Sequence, residues 1–157
     1  MKKVIIASFI MLMCSSVFAQ DNVERFAYRA IFELGFNKGI NESIDRIEGS
    51  YIHAFQVTNN MTVGAGVSLD YDYEFETLAI PIFVDVRSIV LDKRYSPTLG
   101  IKIGYSVNDV KGFYMSPSLG YQFGKTHVGI GYTYYYSKVS NLAIASEGIS
   151  FKIGFKF

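Results

Sequence analysis

The sequence predicts an all-β protein, an eight-stranded antiparallel up-and-down transmembrane β-barrel. Three observations predict it. Apolar and polar residues alternate with period two in segment after segment, from about residue 26 to the end. The connections between those segments alternate between short and longer. After residue 20 no stretch is apolar for long enough to cross a bilayer as a helix, yet half of the 157 residues are hydrophobic.

The strands follow in order. "RFAYRAIFELGF" puts Phe26, Tyr28, Ala30, Phe32, Leu34 and Phe36 on its apolar face. "GSYIHAFQVT" is a strand by composition, but its facing is ambiguous. "NMTVGAGVSLDY" sets Met61, Val63, Ala65, Val67, Leu69 and Tyr71 against Thr62, Gly64, Gly66, Ser68 and Asp70. "LAIPIFVDVR" sets Ile80, Ile82, Val84 and Val86 against Pro81, Phe83, Asp85 and Arg87, and "SPTLGIKIGYSV" sets Leu99, Ile101, Ile103 and Tyr105 against Gly100, Lys102 and Gly104. "GFYMSPSLGYQF" and "THVGIGYTYYY" repeat the pattern. The last strand, "ISFKIGFKF", carries Ile149, Phe151, Ile153, Phe155 and Phe157 on one face, with Ser150, Lys152, Gly154 and Lys156 on the other.

"TNN", "LDKRYS" and "GK" are short connections. "NKGINESIDRIE" and "SKVSNLAIASE" are longer and polar, and "DYEFE" and "NDVKG" fall in the same alternate set. Short turns at one end and longer loops at the other is the outer-membrane arrangement, with both termini on the periplasmic, short-turn side.

Two observations choose the inner face. The strand glycines sit almost wholly on the polar parity, where they make room in a barrel just wide enough for side chains to fill. Aromatics on the apolar parity gather near the strand ends, leaving aliphatic residues such as Val67, Ile82, Val84, Ile103 and Ile130 between them. That reads as an apolar band between two aromatic girdles, facing lipid. A soluble lipocalin-type barrel, with the aliphatic face turned inward around a ligand, is the rival. It would leave a Gly/Ser/Thr face poor in charge toward water.

Residues 1–19 read as a cleaved secretory signal peptide: Lys2 and Lys3, the apolar run "VIIASFIMLM", then small residues, with cleavage between Ala19 and Gln20. The run is short for a retained membrane anchor. Cys14 invites a lipoprotein reading, but Met13 stands where a small residue is wanted. The barrel domain is then 20–157, without cysteine and hence without disulfides. Net charge is +1 and charged residues are 18%, so no global field favours nucleic acid. The 12 Tyr and 13 Phe exceed what a small soluble core needs.

Nearly the whole chain after residue 20 resembles the small outer-membrane β-barrel family, OmpX/OmpA-like, with its porin-like β-barrel domain. The segments that carry the resemblance are "TVGAGVSLDY", "LAIPIFVDVRS", "GFYMSPSLGYQFG" and "GISFKIGFKF". The resemblance implies the outer membrane of a Gram-negative bacterium and a surrounding of outer-membrane lipids. It implies periplasmic chaperones and the barrel-assembly machinery as biogenesis partners, with Phe151, Ile153, Phe155 and Phe157 as the assembly signal.

Nothing in the sequence forms a nucleophile elbow, a metal-ligand cluster or a phosphate loop, so no catalytic, metal or cofactor residue is assigned. His127 falls on inward parity near the periplasmic rim, opposite Gln122 through the "GK" turn; His53 lies mid-strand. Neither has a Ser or Asp companion at the outer end. The inward charges are Arg29, Glu33, Asp85, Arg87, Lys102, Lys152 and Lys156. In so narrow a barrel they fill the lumen as a paired network, because an unpaired charge there is costly. Pairing Val90 with Pro97 sets Asp85 opposite Lys102, with Arg87 able to share the carboxylate. The expected role is structural or interactive, through the outer loops toward a surface ligand, by a monomer that is not an enzyme. A narrow channel for small solutes is the alternative, then a lipid-modifying barrel enzyme.

Overall fold

The structure is a computed structural model that describes residues 27–40, 45–91, 95–139 and 142–157. The signal-peptide reading, with Ala19 and Gln20, and the placement of Phe26 lie outside those residues. The strands are β1 (Tyr28–Gly39), β2 (Arg46–Thr58), β3 (Met61–Asp72), β4 (Thr77–Ile89), β5 (Tyr95–Asn108), β6 (Gly112–Phe123), β7 (Thr126–Val139) and β8 (Leu142–Lys156). Each pairs antiparallel with the next, and β8 closes on β1. At the seam Phe157 N–H donates to Ala30 O at 2.9 Å.

The register sets the dimensions. From Arg29 the paired residues run through Ala54, Gly64, Asp85, Lys102, Ser116, Thr133 and Gly148. They return to β1 at Gly39, ten residues further along. That stagger in eight strands tilts them by roughly 40–45° and leaves an interior that side chains fill. Strands of 12 to 15 residues then rise about 30 Å along the barrel axis, enough for an apolar band with its girdles.

The faces divide as the alternation indicates. Among the described residues seven hydrophobic side chains are buried, against 24 polar or charged ones. A soluble barrel has the opposite balance. Val84 is 50% exposed and Ile103 45%, while Asp85 between Val84 and Val86 is sealed inside. The lipocalin alternative fails on this point. The ambiguous facing of 49–58 is resolved: Tyr51, His53, Phe55 and Val57 point out, and Ile52 and Ala54 are buried inside. At the terminal end Tyr28 packs edge-on to Phe55 at 5.7 Å and Tyr95 to Phe123 at 6.3 Å, which builds one girdle. Tyr71, Tyr105 and Phe113 stand exposed toward the far end.

Loop lengths correct the sequence reading. Both long connections shrink. β1 runs to Gly39 and β2 starts at Arg46, so half of "NKGINESIDRIE" is strand. β7 and β8 extend through "SKVSNLAIASE" until only residues 140–141 separate them. The strand parts keep the two faces of the barrel: Asn37, Arg46 and Glu48 are buried inside while Ile47 is exposed outside. The first connection is clasped: Lys38 Nζ reaches Asp45 Oδ2 at 2.6 Å and Gly39 N–H donates to Asp45 Oδ1 at 2.9 Å. Those two bonds, Lys38 first, hold the Asp45 carboxyl below its usual range.

Glycine matters most where walls approach. A Cβ on Gly104 would stand 2.0 Å from Ile82 O and 2.6 Å from Phe83 Cα, so only hydrogen fits, and Tyr114 lies directly across on β6. In the β6–β7 turn Gly124 takes φ 62, the left-handed conformation that a two-residue hairpin needs.

Arg at Val84 or at Ile103 is expected to cost about 2–4 kcal/mol of barrel stability, since each side chain then faces hydrocarbon near mid-depth. Reversible unfolding in lipid bilayers measures it; full tolerance at both positions means that the faces are inverted.

Candidate functional site

The lumen is crossed by one chain of opposite charges. Asp85 Oδ1 meets Arg87 Nη2 at 3.2 Å; the same nitrogen meets Glu33 Oε1 at 2.8 Å. Glu33 Oε2 meets Lys102 Nζ at 2.8 Å, which meets Glu48 Oε1 at 2.9 Å, and Glu48 Oε2 meets Lys152 Nζ at 3.2 Å. Acid and base alternate through all six groups, contributed by β4, β1, β5, β2 and β8. All six are buried. The Glu33 oxygens make these close charge contacts without well-angled hydrogen bonds, so attraction between full charges is what holds that carboxylate. At such separations in a low-dielectric interior the attraction is strong, and it offsets the cost of removing the ions from water.

Hydroxyls extend the chain. Lys102 Nζ also donates to Ser50 Oγ at 3.0 Å, and Lys152 Nζ to Ser116 Oγ at 2.9 Å. Ser50 Oγ lies 2.9 Å from Glu48 Oε1 and 3.3 Å from Ser68 Oγ. Ser68 and Tyr135 both donate to Asp70, and the Arg46 guanidinium stacks 4.6 Å over the Tyr135 ring. The aromatic part of the plug is Phe83 and Tyr114 at 5.8 Å and Tyr114 and Tyr135 at 5.0 Å between centroids. Lys102 Nζ sits 4.9 Å over Phe83.

Asp85, Arg87 and Lys102 all face inward, and Asp85 pairs with Lys102 in the β4–β5 register. Val90 N–H donates to Pro97 O at 2.9 Å and anchors that register. The side chains choose differently from the sequence reading. Lys102 reaches across the lumen to Glu33 and Glu48 instead of the carboxylate beside it, and Asp85 is held by Arg87 alone among the ion pairs. A cross-lumen partner lets Lys102 touch two carboxylates at once.

Glu48, Arg46 and Asp72 are inward residues that fall within the connections of the sequence reading. The signal was present: "RIEGS" alternates Arg46, Glu48 and Ser50 with Ile47. His127 pairs with Gln122 in the register, but its Nε2 points to Glu33 Oε1 at 3.4 Å. His53 faces outward, with the Tyr28 hydroxyl 2.5 Å from its Nδ1. Among the described residues no group of three His, Cys, Asp or Glu is arranged to hold a metal. Phe151, Ile153 and Phe155 line the outer face of β8, and Phe157, just past its end, is 77% exposed.

A groove of about 520 Å³ lies outside the lumen. Leu99, Pro117, Leu119, Ile130, Tyr132 and Ile149 line it, apolar and facing away from every charged group named above.

Glu33 touches three cationic or basic side chains and Asp85 one. Glu33→Gln is therefore expected to cost about 3–5 kcal/mol, as for other broken buried pairs, and Asp85→Asn less. Adding Lys102→Met to Glu33→Gln is expected to recover part of the loss. Urea unfolding of the three variants in bilayers checks the order; equal stabilities mean that the ions contribute nothing.

No protein-family model matches the sequence, and no curated protein does. Solved structures do. Neisserial surface protein A aligns with a TM-score of 0.57 at 12% identity, covering 84% of this chain and 97% of that one. The N-terminal β-barrel domain of Pseudomonas aeruginosa OprF aligns at 0.54 and 11% identity, over 85% of this chain and all (100%) of that one. A de novo designed transmembrane β-barrel aligns at 0.51 and 9% identity, over 88% of this chain and 100% of the design. At these identities the likeness is one of fold. The alternating apolar exterior, the closure of β8 on β1 and the filled interior make the chain a transmembrane barrel with the fold of the small eight-stranded outer-membrane proteins.

Proposed function

We propose that this chain is an integral outer-membrane protein of a Gram-negative bacterium. It is a monomer with a sealed lumen, and its role is structural or interactive at the cell surface, not catalytic. The observation that carries the reading is the six-member charge chain from Asp85 to Lys152. Each ion in it is buried and in contact with its opposite, which supports an occluded lumen.

The terminal end, with its short turns, faces the periplasm. The signal peptide ending at Ala19 delivers the chain there. Chaperones hold it, and the assembly machinery reads Phe151, Ile153, Phe155 and Phe157 on the last strand. At the far end a surface ligand meets the strand rim more than long loops, since the connections there are short. That rim presents Tyr73 and Phe75, both exposed, with Glu74, Glu76, Asp109 and Lys111 around them.

Planar-bilayer recording tests the sealed lumen. The wild type is expected to pass little or no steady current, and the charge-neutral double replacement Glu33→Ser/Lys102→Ser to pass measurably more by admitting water. A large steady conductance in the wild type, unchanged in the double replacement, makes the protein a channel instead.

Deleting Phe157 is expected to slow insertion while leaving export from the cytoplasm unchanged. The readout is the heat-modifiable folded band on a gel; a normal amount of folded barrel in the deletion strain removes Phe157 from the assembly signal.

A further inference from the structure

Charge is distributed unevenly along the lumen. The network is internally balanced: Glu33, Glu48 and Asp85 stand against Arg87, Lys102 and Lys152. Three acids match three bases, and Asp85 Oδ2, which has no hydrogen-bond partner, is not within ion-pair distance of a further Lys or Arg among the described residues. Yet two more cations stand between it and the terminal rim. Lys156 is paired with Ile31 in the β1–β8 register, so Arg29 is its neighbour two residues away on the same inner face.

Neither has a carboxylate within ion-pair distance among the described residues. Each leans on an amide. Lys156 Nζ donates to Gln122 Oε1. Arg29 gives Nε at 3.1 Å and Nη2 at 2.5 Å to one oxygen, Gln56 Oε1. Most of their N–H donors therefore have no described protein acceptor. An amide oxygen satisfies a hydrogen bond without neutralising charge. Lys156 is 6% exposed, and a cation so far removed from water is costly without a counter-charge. His127, also buried nearby on the inner face, adds no anion; its Nε2 is turned to Glu33.

We infer that the terminal mouth of the lumen is a binding site for a phosphate-class oxyanion, held between Arg29 and Lys156. A guanidinium fork takes two oxygens of a tetrahedral anion in parallel, and an ammonium beside it adds a point charge. Gln122 and Gln56 hold the two cations in place, so the pair is set before the anion arrives. In the orientation proposed above this mouth opens to the periplasm, where the phosphate can be a free ion or belong to a phospholipid headgroup. The site stands whether or not the barrel conducts: phosphate binding with a large current leaves the site and removes the seal.

The test uses the protein refolded in dodecyl maltoside micelles, which carry no phosphate, with chloride compensating ionic strength. Inorganic phosphate is titrated while backbone amide shifts are followed. Saturable shifts at residues 29–31, 122 and 154–156 are expected. Arg29→Gln and Lys156→Gln, each shown folded by heat-modifiable mobility, are each expected to weaken binding tenfold or more. In a second arm lysophosphatidylglycerol replaces free phosphate; saturation at the same residues only in this arm keeps the site and makes the headgroup its ligand. Wild-type shifts that do not saturate with either source overturn the inference, as do shifts confined to the far rim around Lys111. Unchanged binding in both folded variants overturns it too.

Discussion

Closing eight strands with a stagger of ten residues leaves an interior about two side chains across, and the rest of the molecule answers to that limit. Every inward side chain must touch another. A large residue on one strand therefore requires a small one near it. Gly66 shows this: a Cβ there would stand 2.9 Å from both Phe83 Cε2 and Ile52 Cγ1. At Gly35 it would lie 3.3 Å from Lys152 Cγ, so the glycine lets the lysine stem lie along the wall and its ammonium reach Glu48. The charge network is thus made possible by missing side chains as much as by the ions.

A hydrophobic filling would avoid desolvating six ions, and buried ion pairs are weak evidence for stability as such. What the ions add here is register. A one-residue slip of any strand turns its whole polar set toward hydrocarbon. A two-residue slip keeps the facing but pulls the ions off their partners. The contact Lys102 makes with Glu33 on β1 and Glu48 on β2 spans the lumen, so it senses the pairing of strands that are not neighbours. Alternation alone cannot do this, because it is blind to shifts by two.

Parity and closure were legible in the sequence because the bilayer imposes them residue by residue. Val84 beside Asp85 and Ile103 beside Lys102 need only period two to be placed correctly. The Asp85–Lys102 register was also legible, since one hairpin and one hydrogen bond, Val90 to Pro97, define it. The ion-pair partners were not. They depend on the stagger, which accumulates over all eight strand pairs and is encoded at no single position. The facing of β2 stayed open for a local reason: Ile52 and Ala54 are apolar yet point inward, as part of the plug, so both parities look lipid-facing there. Glu48 was hidden because "NKGINESIDRIE" reads as one polar connection, and the short alternation around Ile47 is the only sign that β2 begins inside it.

Closure itself draws on the same ions. Glu33 is on β1 and Lys152 on β8, the two strands that meet last along the chain, and both connect to the network through Lys102 and Glu48. In an open sheet these groups face water and are hydrated. As the β1–β8 seam zips, the interior loses water and the same groups must find each other at once. The apolar exterior cannot drive that step, since it faces lipid both before and after. The backbone bonds of the seam, among them Phe157 N–H on Ala30 O, and the ion contacts across the lumen both depend on the shut barrel. A buried charge that finds no partner at that moment opposes closure, while a matched set favours it. By this reasoning the balance of three acids against three bases in the network is a condition for the barrel to shut, before it is a property of the shut barrel.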